Sequence, residues 1–273
     1  MIGRCTDEGN LAQLHILQPE PGTPMYDELG ARIAYDGFSS PFNAYLLNGG
    51  DRDLVLGDPG TFQTYYHYPT LLPRARHTFA VQAMDVLRRV GPLVLRYALK
   101  RYDDRLSRLV GAWRDASATA DAASLLAVVA REFGAHHHVT SLFRYGLELH
   151  DAQAGGTNAI DARYDARCEY RLAARVLPAM HDCERWLARI AQAAQGRDLL
   201  DDEIDAERVT YLVRAGAERA AAYRVDDGVA AIVGLFDEPR RCADVARALD
   251  ADIAPAFFER LVTLGILAPE RAR

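Results

Sequence analysis

From about residue 208 onward the hydrophobic pattern changes period, and this switch constrains the fold more than any other feature of the chain. Val209-Thr-Tyr-Leu-Val-Arg214 and Ala220-Ala-Ala-Tyr-Arg-Val225 read as two strands of a β-hairpin. Asp226-Asp227-Gly228 is a turn, after which Val229, Ala230, Ile232, Val233, Leu235 and Phe236 fall on one helical face. Asp237-Glu238-Pro239 stops that helix, because proline cannot continue it and restricts the residue before it. A second amphipathic helix spans 241–249, with Val245 and Leu249 one turn apart. Pro255 suits the first turn of a third helix carrying Phe257, Phe258, Leu261, Val262 and Leu264, and Gly265 suits its C-cap. Such a hairpin leaves a sheet edge with unpaired backbone donors and acceptors, a docking surface for an extended peptide.

The rest of the chain reads differently. Residues 42–47 and 53–56 around Asn48-Gly-Gly-Asp51 predict a short N-terminal hairpin, followed by the aromatic run Tyr65-Tyr66-His67-Tyr68. Residues 76–196 predict helices. One covers 80–90 and is interrupted at Gly91-Pro92, and another covers 119–138 with Thr119 as N-cap and Asp121 in its first turn. One or two more cover 163–195, kinked at Pro178. The acidic stretch 196–207 predicts a boundary. The expected architecture is α+β: a mostly helical body with a short N-terminal β-hairpin region (1–196), and a C-terminal winged-helix-like module (197–273).

Composition excludes several functions. Lys100 is the only lysine among 273 residues and sits in a charged stretch, which argues against Schiff-base chemistry. Cys5, Cys168, Cys183 and Cys242 form no Cys-x-x-Cys pair, which argues against a structural zinc site and a disulfide scaffold. No apolar run approaches a membrane span and no secretory pattern opens the chain, so a cytoplasmic protein without a membrane partner is expected. The net charge is −6, and residues 197–273 hold 11 arginines and no lysine against 16 acidic residues, a net of −5. Duplex binding draws much of its affinity from neutralising phosphates, so no nucleic-acid partner is expected.

The C-terminal pattern resembles the PqqD-like family, the RiPP recognition elements that act in making ribosomally synthesised, post-translationally modified peptides. The residues carrying the resemblance are the hairpin into Asp227-Gly-Val-Ala-Ala-Ile-Val-Gly-Leu-Phe-Asp237, then Cys242-Ala-Asp-Val-Ala-Arg-Ala-Leu249, then Phe257-Phe-Glu-Arg-Leu-Val-Thr-Leu-Gly-Ile-Leu267. They cover about a quarter of the chain. The family has three strands ahead of its helices, whereas the pattern here shows two, with 199–204 the candidate for a third. The resemblance implies that a precursor's leader adds as a strand to the sheet edge. Its contacts would be Val209, Tyr211 and Val213 on the hairpin, with Phe257, Phe258 and Leu261 on the third helix. It further implies a non-catalytic subunit of a hetero-oligomer, similar in plan to partner proteins of multinuclear non-haem iron oxidative enzymes. No cofactor is expected in this chain; the iron belongs to the modifying enzyme.

Two alternatives remain open. One is a winged-helix transcription regulator, disfavoured by charge. The other is a helical-bundle metal-dependent oxidase using Glu132, His136, His181 and Glu184, whose spacing could point paired ligands from helix faces. The spacing departs from the usual Glu-x-x-His motif. P-loop, dinucleotide-binding and nucleophile-elbow motifs are absent.

Overall fold

The computed structural model describes residues 22–32, 53–54, 57–58, 61, 74–155, 163–193, 207–216 and 220–270. In chain order the elements are α1 (Pro24–Leu29), α2 (Arg74–Val90), α3 (Pro92–Leu99), α4 (Leu106–Ala116), α5 (Ala122–Phe133), α6 (His138–Gly155), β1 (Glu169–Leu172), β2 (Arg175–Ala179), α7 (Cys183–Gln192), β3 (Val209–Arg214), β4 (Ala221–Val225), α8 (Asp227–Gly234), β5 (Arg240–Arg241), α9 (Cys242–Ala248), α10 (Pro255–Thr263) and β6 (Leu267–Pro269). The architecture is α+β, helix-rich with small antiparallel sheets. No described helix is long and apolar enough to cross a membrane. The predicted hairpin at 42–56 lies outside the described residues except for Asp53 and Leu54, which are helical, and the Tyr65–Tyr68 run lies wholly outside them.

The chain forms two compact units, residues 1–87 with 105–124 and residues 88–104 with 125–273. In the first, Leu109 and Trp113 lie one turn apart on α4 and are buried. Phe79 meets the Trp113 ring edge-on at 5.5 Å, and the indole N–H donates to Ser124 Oγ at 2.9 Å. Ser124 also belongs to a reciprocal cap: its amide donates to Asp121 Oδ1 at 2.8 Å and its hydroxyl accepts from the Asp121 amide. Asp121, not Thr119, therefore caps α5; the Thr119 hydroxyl donates to the Asp121 carboxylate.

The helix predicted over 119–138 is shorter than its apolar pattern suggests. It stops at Phe133 because Gly134 takes φ 105°, open to glycine and strained for other residues. The three histidines 136–138 then straddle a turn and the start of α6.

The second unit is built around α6, whose buried positions Val139, Leu142, Phe143 and Leu147 repeat at helical spacing. A Cβ on Gly146 would lie 2.3 Å from the Val90 carbonyl oxygen, so this glycine lets α6 approach that backbone closely. Helix α7 buries Cys183, Trp186 and Ile190 and is capped by Asp182, which accepts from the Arg185 amide at 3.1 Å.

Two three-stranded sheets complete the second unit. Strands β2, β3 and β4 form one antiparallel sheet in that order, with Leu177 opposite Tyr211 and Tyr211 opposite Arg224. Strands β5, β1 and β6 form the other. Helix α6 lies against β2 and β3, and α8 packs on β3. Leu212, Val233, Phe236, Val245, Phe258 and Leu261 belong to one apolar core beneath the C-terminal helices.

The expectation of helix over 163–195 is corrected. Its first part forms β1 and β2, and only Cys183–Gln192 is helical. Helix-forming residues such as Leu172 and Leu177 are overridden by cross-strand pairing, which depends on the surroundings more than on the local sequence. Pro178 sits in β2 opposite Thr210, and β2 is an outer strand, where a missing N–H can face away from the ladder. The third strand of the sheet is therefore Arg175–Ala179, and the segment 199–204 lies outside the described residues. The sheet thus spans residue 196, joining β2 from before it with β3 and β4 from after it.

Candidate functional site

The order β2-β3-β4 decides which backbone is available. Strand β3 pairs on both sides, so its donors and acceptors are engaged within the sheet. Among the described residues, no strand pairs with the outer edge of β4.

Because neighbouring paired residues share a face, the register assigns the sides of the sheet. Leu212 with Tyr223, and Thr210 with Val225, turn toward the C-terminal helices, where Tyr223, Val225 and Phe257 pack half-buried on the margin of the core. Tyr211 with Arg224, and Val213 with Ala222, turn to the opposite face.

The six peptide-contact residues predicted from sequence are placed in three settings. Val209, Tyr211 and Val213 lie on the middle strand, 5%, 0% and 0% exposed, on the face away from the C-terminal helices. Phe258 and Leu261 are buried in the module core. Phe257 alone is half-buried at its margin, 5.4 Å from the Phe258 ring. A peptide pairing with the outer edge of β4 would thus meet that strand's Tyr223 and Val225 in place of the middle strand's residues. The signal was present in the sequence. Val-Thr-Tyr-Leu-Val suits a strand buried on both faces, whereas Ala-Ala-Tyr-Arg-Val carries the charge typical of an edge.

On the other face of the sheet, α6, α7 and β4 enclose an open cavity of about 960 Å³. Its wall is a hydrogen-bonded polar layer. The Tyr211 hydroxyl donates to Asp182 Oδ1 at 2.9 Å, and Arg224 donates to Asp182 Oδ2 at 2.7 Å and to Glu207 at 2.6 Å. Tyr145 donates to Glu184, and its ring lies 5.1 Å from that of Tyr211. Burial pulls the Asp182 carboxyl upward, but the Arg185 amide, the Tyr211 hydroxyl and Arg224 outweigh it and hold the group below its ordinary value. Burial, reinforced by the carboxylate each one faces, pushes both tyrosine hydroxyls well up, so they act as neutral donors. At another part of the rim, Arg89 grips Asp151 through two contacts of 2.6 and 2.8 Å.

Deeper in the unit, His138 is 3% exposed and stacks on Trp186 at 3.7 Å with the rings 2° from parallel. Its Nε2 is 3.0 Å from the Tyr97 hydroxyl, and His181 Nδ1 is 3.0 Å from Ser141 Oγ. Burial, then the neighbouring His137 and His181, lowers His138 to about 3; burial also lowers His181. These are neutral, packed imidazoles. The four residues of the metal alternative are not gathered into one site. Glu132 pairs with Arg131, His136 is exposed in the turn, His181 is buried beside Ser141, and Glu184 accepts from Tyr145. Among the described residues, no three His, Cys, Asp or Glu side chains converge to hold a metal.

Compared with known proteins, the chain matches no protein-family model and no curated protein.

Proposed function

We propose that this chain is a non-catalytic subunit in the biosynthesis of ribosomally made, modified peptides. It binds the leader of a precursor peptide by strand addition and presents the core peptide to a separate metal-dependent enzyme, a hetero-oligomeric partner that supplies the iron. The observation that carries this reading is the outer edge of β4, unpaired among the described residues and carrying half-buried Tyr223 and Val225. Main-chain hydrogen bonds along such an edge supply affinity, and the side chains beside it supply selectivity. The winged-helix-like, PqqD-like reading is also supported by the three antiparallel strands and the three helices α8, α9 and α10, with the first strand drawn from β2. Tethering the leader raises the local concentration of the reactive core at the enzyme.

The test uses the leader of a short peptide encoded beside this gene, fluorescently labelled and titrated with the full chain. Binding at micromolar Kd or tighter is expected. Single backbone N-methylations along the leader should weaken it by about tenfold or more at alternate residues only, because only alternate amides face the edge. Binding insensitive to N-methylation at every position would overturn strand addition.

A further inference from the structure

We infer that the cavity on the α6–α7 face of the sheet is a second half of the peptide site, selecting a long guest side chain with an oxygen acceptor at its tip, glutamate or glutamine. This inference rests on strand addition at β4.

A strand laid along β4 sends successive side chains to opposite faces. One set meets Tyr223 and Val225. The other set falls on the side of Ala222 and Arg224, which line the cavity. Strand β4 and the residue before it contribute Ala220, Ala221 and Ala222 to that lining. Ala220 and Ala222, on the Arg224 side of the strand, carry only methyl groups and leave room for a neighbouring strand and for what it projects inward. The cavity, of about 960 Å³ and open to solvent, has room for a guest side chain.

The hydrogen-bond inventory gives the chemistry. The lining holds two carboxylates, Asp182 and Glu184, and three guanidiniums, Arg89, Arg185 and Arg224. Asp182 is fully engaged, accepting from the Arg185 amide, the Tyr211 hydroxyl and Arg224, and one Glu184 oxygen accepts from Tyr145. The largest unused donor capacity is that of Arg185. The Arg185 guanidinium makes only a 3.8 Å ion pair with Glu207 among the described residues, and its side chain is 71% exposed. An arginine carries five N–H donors and no acceptor, so the guest group that completes this site is an oxygen acceptor. The rings of Tyr145 and Tyr211 and the side chain of Leu187 offer apolar wall for its stem. A short Ser or Asp would leave that wall uncovered.

The experiment selects a displayed library of short random peptides against the full chain. The wild type should yield sequences with a period of two: apolar residues at one parity, and Glu or Gln enriched about tenfold at a position of the other. Arg185→Glu should replace that enrichment with Lys or Arg. Ala222→Trp, which fills the cavity from β4, should erase preference at that parity and leave the apolar parity intact. Apolar preference at one parity alone would overturn the cavity's role while leaving strand addition standing. Glu or Gln enrichment unchanged in Arg185→Glu would overturn the assignment of the donor. Failure of the folded wild type to select any peptide would overturn strand addition itself.

Discussion

The two faces of the β2-β3-β4 sheet are held by different physics. Toward the C-terminal helices, Leu212, Phe236, Phe258 and Leu261 belong to one buried apolar core. Toward α6 and α7, Tyr211, Asp182, Arg224, Tyr145 and Glu184 form a connected donor–acceptor layer beside an open cavity. One strand serves both, because alternation along β3 sends Leu212 to one side and Tyr211 and Val213 to the other. The dry face joins the sheet to the C-terminal helices, and the hydrogen-bonded face gives the sheet a defined place against α7 beside an open cavity.

The largest test of this contrast lies on the dry face. Phe258→Ala removes a ring that is 2% exposed and touches both Phe236 and Phe257, and a loss of about 3–5 kcal/mol is expected in urea unfolding. A loss under about 1 kcal/mol would mean that this face is not tightly packed.

An intermediate effect is expected from acid. The folded-state value of His138 lies below its unfolded value of about 6.5, so its contribution is full above that pH and is lost as the pH falls toward about 3. Between pH 7.5 and pH 5 the protein should lose about 1–2 kcal/mol, because burial and the neighbouring His137, His181 and Arg189 disfavour the imidazolium. His138→Gln should flatten that part of the stability–pH curve; a curve unchanged in the variant would show that other groups titrate there.

The smallest effect belongs to the polar face. Tyr211→Phe removes one donor from Asp182, which keeps Arg224 and the Arg185 amide, so about 1 kcal/mol is expected. If it costs as much as Phe258→Ala, the distinction between the two faces fails.

Much of the C-terminal region was legible in advance. Strands Val209–Arg214 and Ala221–Val225 and helix starts at Asp227, Cys242 and Pro255 fall where alternation, the turn at 226–228 and the two prolines place them. These are local signals, carried by residues a few positions apart. The strands at 169–179 were not legible. Their residues have no strong strand preference, and they are extended because β3 and β6 pair with them from distant parts of the chain. The cavity was equally hidden. Tyr145, Asp182 and Arg224 are separated by tens of residues, and no motif links them. The histidine run drew attention toward metal chemistry, yet Gly134 breaks the helix before it, leaving His136 exposed in the turn while the His137 and His138 rings lie 4.1 Å apart.

By itself the sequence determined where periodicity changes, where helices cap and stop, and the α+β character of the chain, because those depend on φ/ψ limits and on side-chain spacing over a few residues. Only the tertiary structure decided that Arg175–Ala179 completes the sheet beside β3, and that the polar side chains of α6, α7 and β4 face one another. Strand order and side-chain convergence are set by pairings across the chain, and a sheet position has no local signature strong enough to announce its neighbours.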